Sequence, residues 1–120
     1  MQLNEISYPD TPPIDGYGPG FFRVGGKVYE GGLLILPSGL VPWSGYEDLG
    51  EILSAAQDID VLFVGTGAEI ASVPKAMREA VEAAGPGLEI MNTPSACRTY
   101  NVLLSEGRRI AVALTPMPLA

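Results

Sequence analysis

The chain has 120 residues, of which 47% are apolar and 18% are charged, and its net charge is −7. This length suits a single domain that covers residues 1–120, and the apolar share is too high for a disordered chain. The negative charge repels phosphate backbones and anionic lipid, so neither nucleic acid nor a membrane surface is an expected partner.

A single cysteine and the absence of histidine restrict the chemistry open to this chain. Cys97 cannot form an internal disulfide, which favours a reducing compartment. Residues 1–10 have neither a basic region nor an apolar core, so no targeting segment is predicted. The longest apolar runs, such as Leu33–Leu36, are too short to span a bilayer. We therefore expect a soluble, cytoplasmic protein.

The first third of the sequence shows turn and strand patterns. Residues 8–20 are rich in proline and glycine, which predicts an irregular arm. Phe21–Val24 and Lys27–Glu30 flank a Gly-Gly dipeptide, the pattern of a β-hairpin with a two-residue turn. Leu33–Leu36 has the composition of a further strand, and the proline that follows ends it.

The middle of the chain predicts a helix, a buried strand and a second helix. Ser44 and Glu47 have the spacing of a capping box, and apolar residues then recur at helical intervals. Residues 61–64 form a continuous apolar run that ends in Gly65-Thr66-Gly67. This order is typical of a buried parallel strand that leads through a tight turn into a crossover helix. The apolar stripe of residues 73–84 predicts that helix.

The last third predicts a short strand, a third helix and a final strand. Residues 88–91 have strand character, and Thr93 and Pro94 suit the N-cap and first position of a helix. Ile110–Leu114 reads as the last strand. The alternation of helices and strands predicts an α/β fold with helices packed on a central mixed, largely parallel sheet. The N-terminal hairpin adds antiparallel strands or a separate small sheet.

Two segments together resemble a known family. They are residues 61–67, VLFVGTG, and residues 93–109, TPSACRTYNVLLSEGRR. Together with residues 29–42 and the Trp43 that follows, these segments resemble the domain of unknown function 498. The mitochondrial relatives of that family include NADH dehydrogenase (complex I) assembly factor 3. The resemblance implies a three-layer α/β fold with a central mixed sheet, no established catalytic residue, and protein partners during assembly of a respiratory complex. This chain differs from the mitochondrial relatives, because its residues 1–10 do not have the character of a transit peptide.

Five residues are candidates for a ligand site. Gly65, Thr66 and Gly67 could present backbone N–H groups to an anion at the start of a helix. The turn lacks both the third glycine of a dinucleotide fingerprint and the lysine of a phosphate loop, so the alternative is a structural strand-to-helix turn. Arg98 and Asn101, three residues apart on the third helix, could form a recognition edge. The alternative for this pair is a solvated face with a structural hydrogen bond.

Cys97 and the paired carboxylates are the remaining candidates for chemistry. The neighbouring arginine would lower the pKa of Cys97, but there is no histidine base, and an apolar stripe suits a buried side chain. Asp58 with Asp60, and Glu47 with Asp48, could hold a hard cation, yet each pair has a local role in a turn or helix start. We predict no catalytic residue, no metal site and no cofactor.

The sequence therefore predicts a non-enzymatic protein-interaction or assembly-factor-like domain with an unidentified protein partner, and it leaves self-association open. Trp43 and the Phe21-Phe22 pair are candidates either for a docking patch or for the core. The alternative function is a small-molecule or anion-binding module that uses the Gly65-Thr66-Gly67 turn and Arg98. An enzyme is disfavoured, because acid–base chemistry at neutral pH usually recruits histidine.

Overall fold

The computed structural model describes residues 12–119. The strands are β1 (Ile14–Gly18), β2 (Phe21–Val24), β3 (Lys27–Glu30), β4 (Leu33–Leu36), β5 (Gly39–Pro42), β6 (Val61–Gly65), β7 (Gly87–Met91) and β8 (Ile110–Leu114). The helices are α1 (Gly50–Ser54), α2 (Lys75–Ala84) and α3 (Thr93–Ser105), with a 3-10 turn at Ala56–Asp58 between α1 and β6.

The strands form two sheets. β1, β2 and β3 make a three-stranded antiparallel sheet, and the other five strands lie in the order β5-β4-β8-β6-β7. In the larger sheet β6 is parallel to both β7 and β8, whereas β4 is antiparallel to both β5 and β8. The α/β class and the mixed sheet are confirmed. The expectation of a largely parallel sheet was too strong, because β4 and β5 join through a two-residue turn and not through a crossover helix.

Hydrophobic clusters fill both faces of the five-stranded sheet. Successive side chains of a strand point to opposite faces, so Leu62 and Phe63 of β6 belong to different clusters. The cluster around Leu62 includes Ile52 of α1 and Met77 of α2. The cluster around Phe63 includes residues of α3 and also Phe22 of the small sheet. Because a helix and a sheet share that second face, the three-layer description stays a prediction.

The N-terminal arm is more regular than predicted. Within the described part of the arm, Ile14–Gly18 forms β1, and the register between β1 and β2 shifts between Ile14 and Gly16 as at a β-bulge. The hairpin of β2 and β3 is confirmed. Its turn glycines have φ values of +60° and +81°, the left-handed conformation that a two-residue hairpin turn requires. Residues 8–11 of the predicted arm lie outside the described residues.

Two predicted helix starts are wrong. The backbone N–H and the hydroxyl of Ser44 both donate to Oδ2 of Asp48, at 3.0 and 3.1 Å, and α1 begins later without a side-chain cap. Asn92 caps α3 in place of Thr93, because its Oδ1 accepts a hydrogen bond from the N–H of Ser95 at 2.8 Å. Thr93 is the first residue of the helix, which leaves its hydroxyl for a different contact.

Candidate functional site

The Gly65-Thr66-Gly67 turn packs against the first turn of α3. Gly65 ends β6, between β7 and β8. A Cβ atom added at Gly65 would lie 2.9 Å from Oγ1 and 3.0 Å from Cα of Thr93. Gly67 has a φ of +99°, a backbone conformation that residues other than glycine rarely adopt. The close approach of the turn to α3 therefore explains Gly65, and the positive φ explains Gly67.

Hydrogen bonds engage the polar groups of this turn. The hydroxyl of Thr93 accepts from the N–H of Gly67 at 2.8 Å and donates to the carbonyl of Thr115 at 2.7 Å. The N–H of Thr66 donates to the carbonyl of Met91 at 3.0 Å. The N–H groups of Thr66 and Gly67 therefore point at protein acceptors, and an anion would have to displace these bonds.

The chain after the turn does not enter a helix at once. The hydroxyl of Thr66 donates to the carbonyl of Glu69 at 2.7 Å and accepts from the N–H of Ala71 at 3.0 Å, which folds the segment into a loop. α2 begins only at Lys75. The turn therefore lies away from the N-terminus of the helix that follows it, and the expected strand-to-helix turn is wrong in this respect.

The anion-binding hypothesis for this turn stays a prediction that a titration can decide. Because the N–H groups of Thr66 and Gly67 already have acceptors, we expect inorganic phosphate to leave their NMR amide shifts unchanged. The measurement is a ¹⁵N-resolved titration of the folded protein, with sodium chloride at equal ionic strength as the control. A saturable shift of the Gly67 amide, seen with phosphate and not with chloride, would contradict this expectation and support an anion site.

Arg98 and Asn101 make different contacts on α3. The side-chain amide of Asn101 forms two hydrogen bonds with the backbone of Ile14: Oδ1 accepts from the N–H at 2.8 Å, and Nδ2 donates to the carbonyl at 2.9 Å. Arg98 is exposed, and its Nη2 donates to the hydroxyl of Ser95 at 3.3 Å. Asn101 therefore fixes β1 to α3, whereas the guanidinium of Arg98 is accessible. The five candidates do not share one set of contacts.

Replacing Asn101 with alanine should lower the free energy of unfolding by about 1–3 kcal/mol, because both backbone groups of Ile14 lose their partner. The measurement is urea denaturation followed by circular dichroism. Thr99→Ala is the matched control on the same helix, and we expect it to change stability by less than about 0.5 kcal/mol. An N101A variant as stable as the wild type would show that this pair of hydrogen bonds does not hold β1 in place.

Cys97 is buried in the cluster beneath α3, with 3% of its surface exposed. Burial raises the pKa of Cys97 to about 12, and the positive charge of Arg98 offsets only part of this shift. At pH 8 a thiol with that pKa is ionised in about one molecule in ten thousand, so the reactive thiolate is scarce. The structure thus gives Cys97 the surroundings of a core side chain.

Iodoacetamide should modify Cys97 of the folded protein at pH 8 at least about a hundredfold more slowly than in the urea-unfolded chain, because both burial and the raised pKa protect the thiol. Intact-mass spectrometry over time measures the two rates. Free cysteine added to each sample corrects for the effect of urea on the reagent. Equal rates in the folded and unfolded protein would instead identify an accessible thiolate.

The carboxylates of Asp60 and Asp48, each a member of a pair considered above as a metal site, make contacts with nearby side chains. Oδ1 of Asp60 lies 2.9 Å from Nη2 of Arg109, and this hydrogen bond lowers the pKa of Asp60. Asp48 accepts from Ser44, as described above, and its carbonyl accepts from the indole of Trp43 at 2.9 Å. Between residues 12 and 119, no three cysteine, aspartate or glutamate side chains converge as metal ligands.

Two of the shallow depressions on the surface of residues 12–119 differ in character. One, of about 410 Å³, is bordered by residues 44–48 and Pro74, and it includes two carboxylates. The other, of about 270 Å³, lies on α3 and is lined by Arg98, Thr99, Val102 and Leu103. Trp43 is buried and stacks edge-on against Tyr46, so it belongs to the core and not to a docking patch.

Sequence comparison places this chain among proteins that share nearly its whole length. Residues 14–115 match the family described as protein of unknown function (DUF498/DUF598). An uncharacterised protein of Rhodobacter capsulatus is 50% identical over 118 residues, which cover 98% of this chain and 95% of that protein. NADH dehydrogenase [ubiquinone] 1 alpha subcomplex assembly factor 3 of Danio rerio is 32% identical over 112 residues, covering 88% of this chain and 64% of that protein.

Structure comparison agrees with these matches. The crystal structure of an outer membrane protein from Bartonella henselae superposes with a TM-score of 0.84 and is 33% identical, with 92% of this chain and 99% of that chain covered. In the present chain, none of the helices between residues 12 and 119 has the length and apolar content of a membrane span.

Proposed function

We propose that this chain, which belongs to the DUF498/DUF598 family of proteins of unknown function, is a non-enzymatic protein-interaction domain. In this proposal the domain acts in the assembly of a larger complex. The observation that carries the proposal is the match to an assembly factor of NADH dehydrogenase, which extends over 88% of this chain. The family match over residues 14–115 spans both sheets and all three helices, which gives a shared mode of action a common scaffold. NADH dehydrogenase is accordingly the first candidate for the complex.

The placement of reactive groups supports a binding role. The thiol of Cys97 is buried, and burial raises its pKa to about 12. The carboxylate of Asp60 forms an ion pair with Arg109, and the N–H of Gly67 donates a hydrogen bond to the hydroxyl of Thr93. A nucleophile or general base needs a side chain that is both accessible and activated. These groups lack that combination, which favours contact with another protein over turnover of a substrate.

The distribution of exposed charge indicates the chemistry of the partner. The net charge is −7, and the segment of residues 44–58, which contains α1, has four acidic residues and no basic one. In that segment Leu53 is also 40% exposed, so an apolar group lies among the carboxylates. Complementary charge steers association and selects partners. We therefore propose that the partner presents a basic surface to the side of the molecule that carries α1.

The proposal is tested by purifying the tagged chain from cells of its own source at low salt, without a cross-linker, and identifying the retained proteins by mass spectrometry. We expect subunits or precursors of one multi-subunit complex, retained near stoichiometrically at low salt and released as salt rises. A Glu47→Lys/Glu51→Lys double variant should retain less, whereas Lys75→Gln on α2 should retain as much as the wild type. Recovery of no protein beyond those bound by a tag-only control would overturn the proposal.

A further inference from the structure

We propose that two copies of this chain associate through the outer side of α3, in an antiparallel arrangement about a two-fold axis at Val102. This surface, here named the α3 face, consists of Ser95, Arg98, Thr99, Val102 and Glu106. The inference goes beyond the assembly role and does not depend on which partner that role involves. It rests on the position of Val102, on the order of charges around it and on the size of the neighbouring side chains.

Val102 lies on the side of α3 that turns away from the sheet. Tyr100 is buried against the sheet at 1% exposure, and Val102 follows it by two positions. Two positions correspond to a rotation of about 200° around a helix axis, which places Val102 almost opposite Tyr100. Its side chain is 56% exposed. Val102 is therefore the apolar centre of the outer side of α3.

The charges around Val102 have a self-complementary order. Arg98 precedes Val102 by four residues and Glu106 follows it by four, and both are exposed. Between residues 12 and 119, neither side chain takes part in an ion pair within the chain. When a second copy lies antiparallel with Val102 against Val102, Arg98 of each copy faces Glu106 of the other. The two-fold arrangement therefore gives two equivalent ion pairs, one at each end of the contact.

The side chains beside Val102 permit close approach of two helices. Ser95, Thr99 and Ser105 are small, and packed helices lie about 8–10 Å apart when the side chains between them are small enough. The depression of about 270 Å³ beside Val102 is lined by Arg98, Thr99 and Leu103. This space can receive the Val102 side chain of the second copy, which would remove both valines from water.

A second copy matches this face more specifically than a generally basic or acidic partner would. A partner of uniform charge would satisfy either Arg98 or Glu106 and repel the other, whereas the same helix in reverse direction satisfies both. The net charge of −7 on each copy opposes association over long distances. At about 0.15 M salt the Debye length is roughly 8 Å, so this repulsion is screened while contacting ion pairs persist. Because α3 is only about 20 Å long, the dimer should be weak.

Charge exchange tests the two-fold ion pairs. Sedimentation equilibrium of the full chain at about 0.15 M salt should show a monomer–dimer equilibrium over protein concentrations of roughly 10–500 µM. Arg98→Glu and Glu106→Arg should each weaken the dimer at least about tenfold, and the double variant should restore it. Circular dichroism confirms that each variant is folded. A wild-type protein that stays monomeric throughout, or a double variant as weak as the single variants, would overturn the inference.

Cross-linking tests the centre of the face without changing charge. Under mild oxidation, the Val102→Cys variant should form a disulfide-linked dimer faster than the Val28→Cys variant, by about tenfold or more. Val28 on β3 is the matched control, because it is the same residue type and is 54% exposed, against 56% for Val102. The buried thiol of Cys97 does not compete. Equal rates for the two variants would contradict an interface centred on Val102, even if the charge variants failed to fold.

Discussion

The Gly65→Ala variant should unfold with a free energy about 2–3 kcal/mol lower than that of the wild type, because the added methyl group has no room. The new Cβ would lie 2.9 Å from Oγ1 of Thr93 and 3.0 Å from Cδ2 of Leu114. Oγ1 cannot move aside cheaply, since it is held by hydrogen bonds to Gly67 and Thr115. The clash therefore reaches the junction of β6, β8 and α3 and is not absorbed by one flexible side chain.

Gly87→Ala is the control for this experiment. Gly87 begins β7, the parallel neighbour of the strand that Gly65 ends. A Cβ atom at Gly87 would meet its nearest neighbours at 3.8 and 3.9 Å, which is ordinary van der Waals contact. We expect this change to be neutral or to stabilise slightly, because alanine has fewer conformations to lose on folding. Urea denaturation of both variants measures the difference. Equal losses of stability would show that the contact with Thr93 is not what excludes a side chain at Gly65.

The Thr93→Val variant should lose about 2–4 kcal/mol of unfolding free energy, because two backbone groups lose their hydrogen-bond partner at once. The side chain of Thr93 is fully buried, so water cannot replace the missing hydroxyl without rearrangement. Valine has nearly the same shape, and the effect therefore reports the hydrogen bonds to Gly67 and Thr115 more than the packing. Urea denaturation gives the stability. Hydrogen exchange of the Gly67 amide gives the local effect, which should be faster exchange.

Thr93→Ser provides the corresponding control. Serine keeps the hydroxyl and loses one methyl group, so we expect a loss of only about 1 kcal/mol and a protected Gly67 amide. If T93S were as unstable as T93V, the methyl group and not the hydroxyl would be the important part of the side chain. Gly65→Ala and Thr93→Val touch the same oxygen atom, so their effects should not add in the double variant.

The elements that could be predicted from sequence are those whose signal is local. β6 and β8 are runs of consecutive apolar residues, because both of their faces are buried. α2 has a clear apolar stripe, and it was predicted nearly to its observed bounds. β5, by contrast, was not predicted. Its four residues begin with glycine and end with proline, and it becomes a strand because β4 offers hydrogen-bond partners. Pairing of that kind is tertiary and leaves no periodic pattern.

The predicted helix starts show where local rules compete. Asn92 and Thr93 are both good capping residues, so their order alone could not decide which one caps α3. Asn92 caps the helix because the hydroxyl of Thr93 is hydrogen-bonded to Gly67 and Thr115, which are distant in sequence. Ser44 could cap a helix, but the carboxylate of Asp48 lies within reach and takes its hydrogen bonds.

The candidate site was predictable only as a set of residue types. The glycines of the turn indicated a tight structural turn, but the hydrogen-bonding partner of that turn, Thr93, was missed. The available signal was that the glycine turn and Thr93 each follow a predicted strand, because the carboxyl ends of neighbouring parallel strands meet at one edge of a sheet. Asn101 was identified, yet its contact with Ile14 spans 87 positions and could not be inferred. Arg98 is exposed, which fits both a recognition edge and a solvated helix face, so that choice stays a prediction.

The amount of fully assembled NADH dehydrogenase in cells that lack the gene for this chain tests the proposed assembly role most directly. Native electrophoresis with in-gel activity staining measures it, with a wild-type copy of the gene supplied as the control. We predict that the assembled complex falls well below its normal level while its separate subunits are still made, and that the wild-type copy restores it. An unchanged amount of assembled complex in cells without the chain would contradict this role.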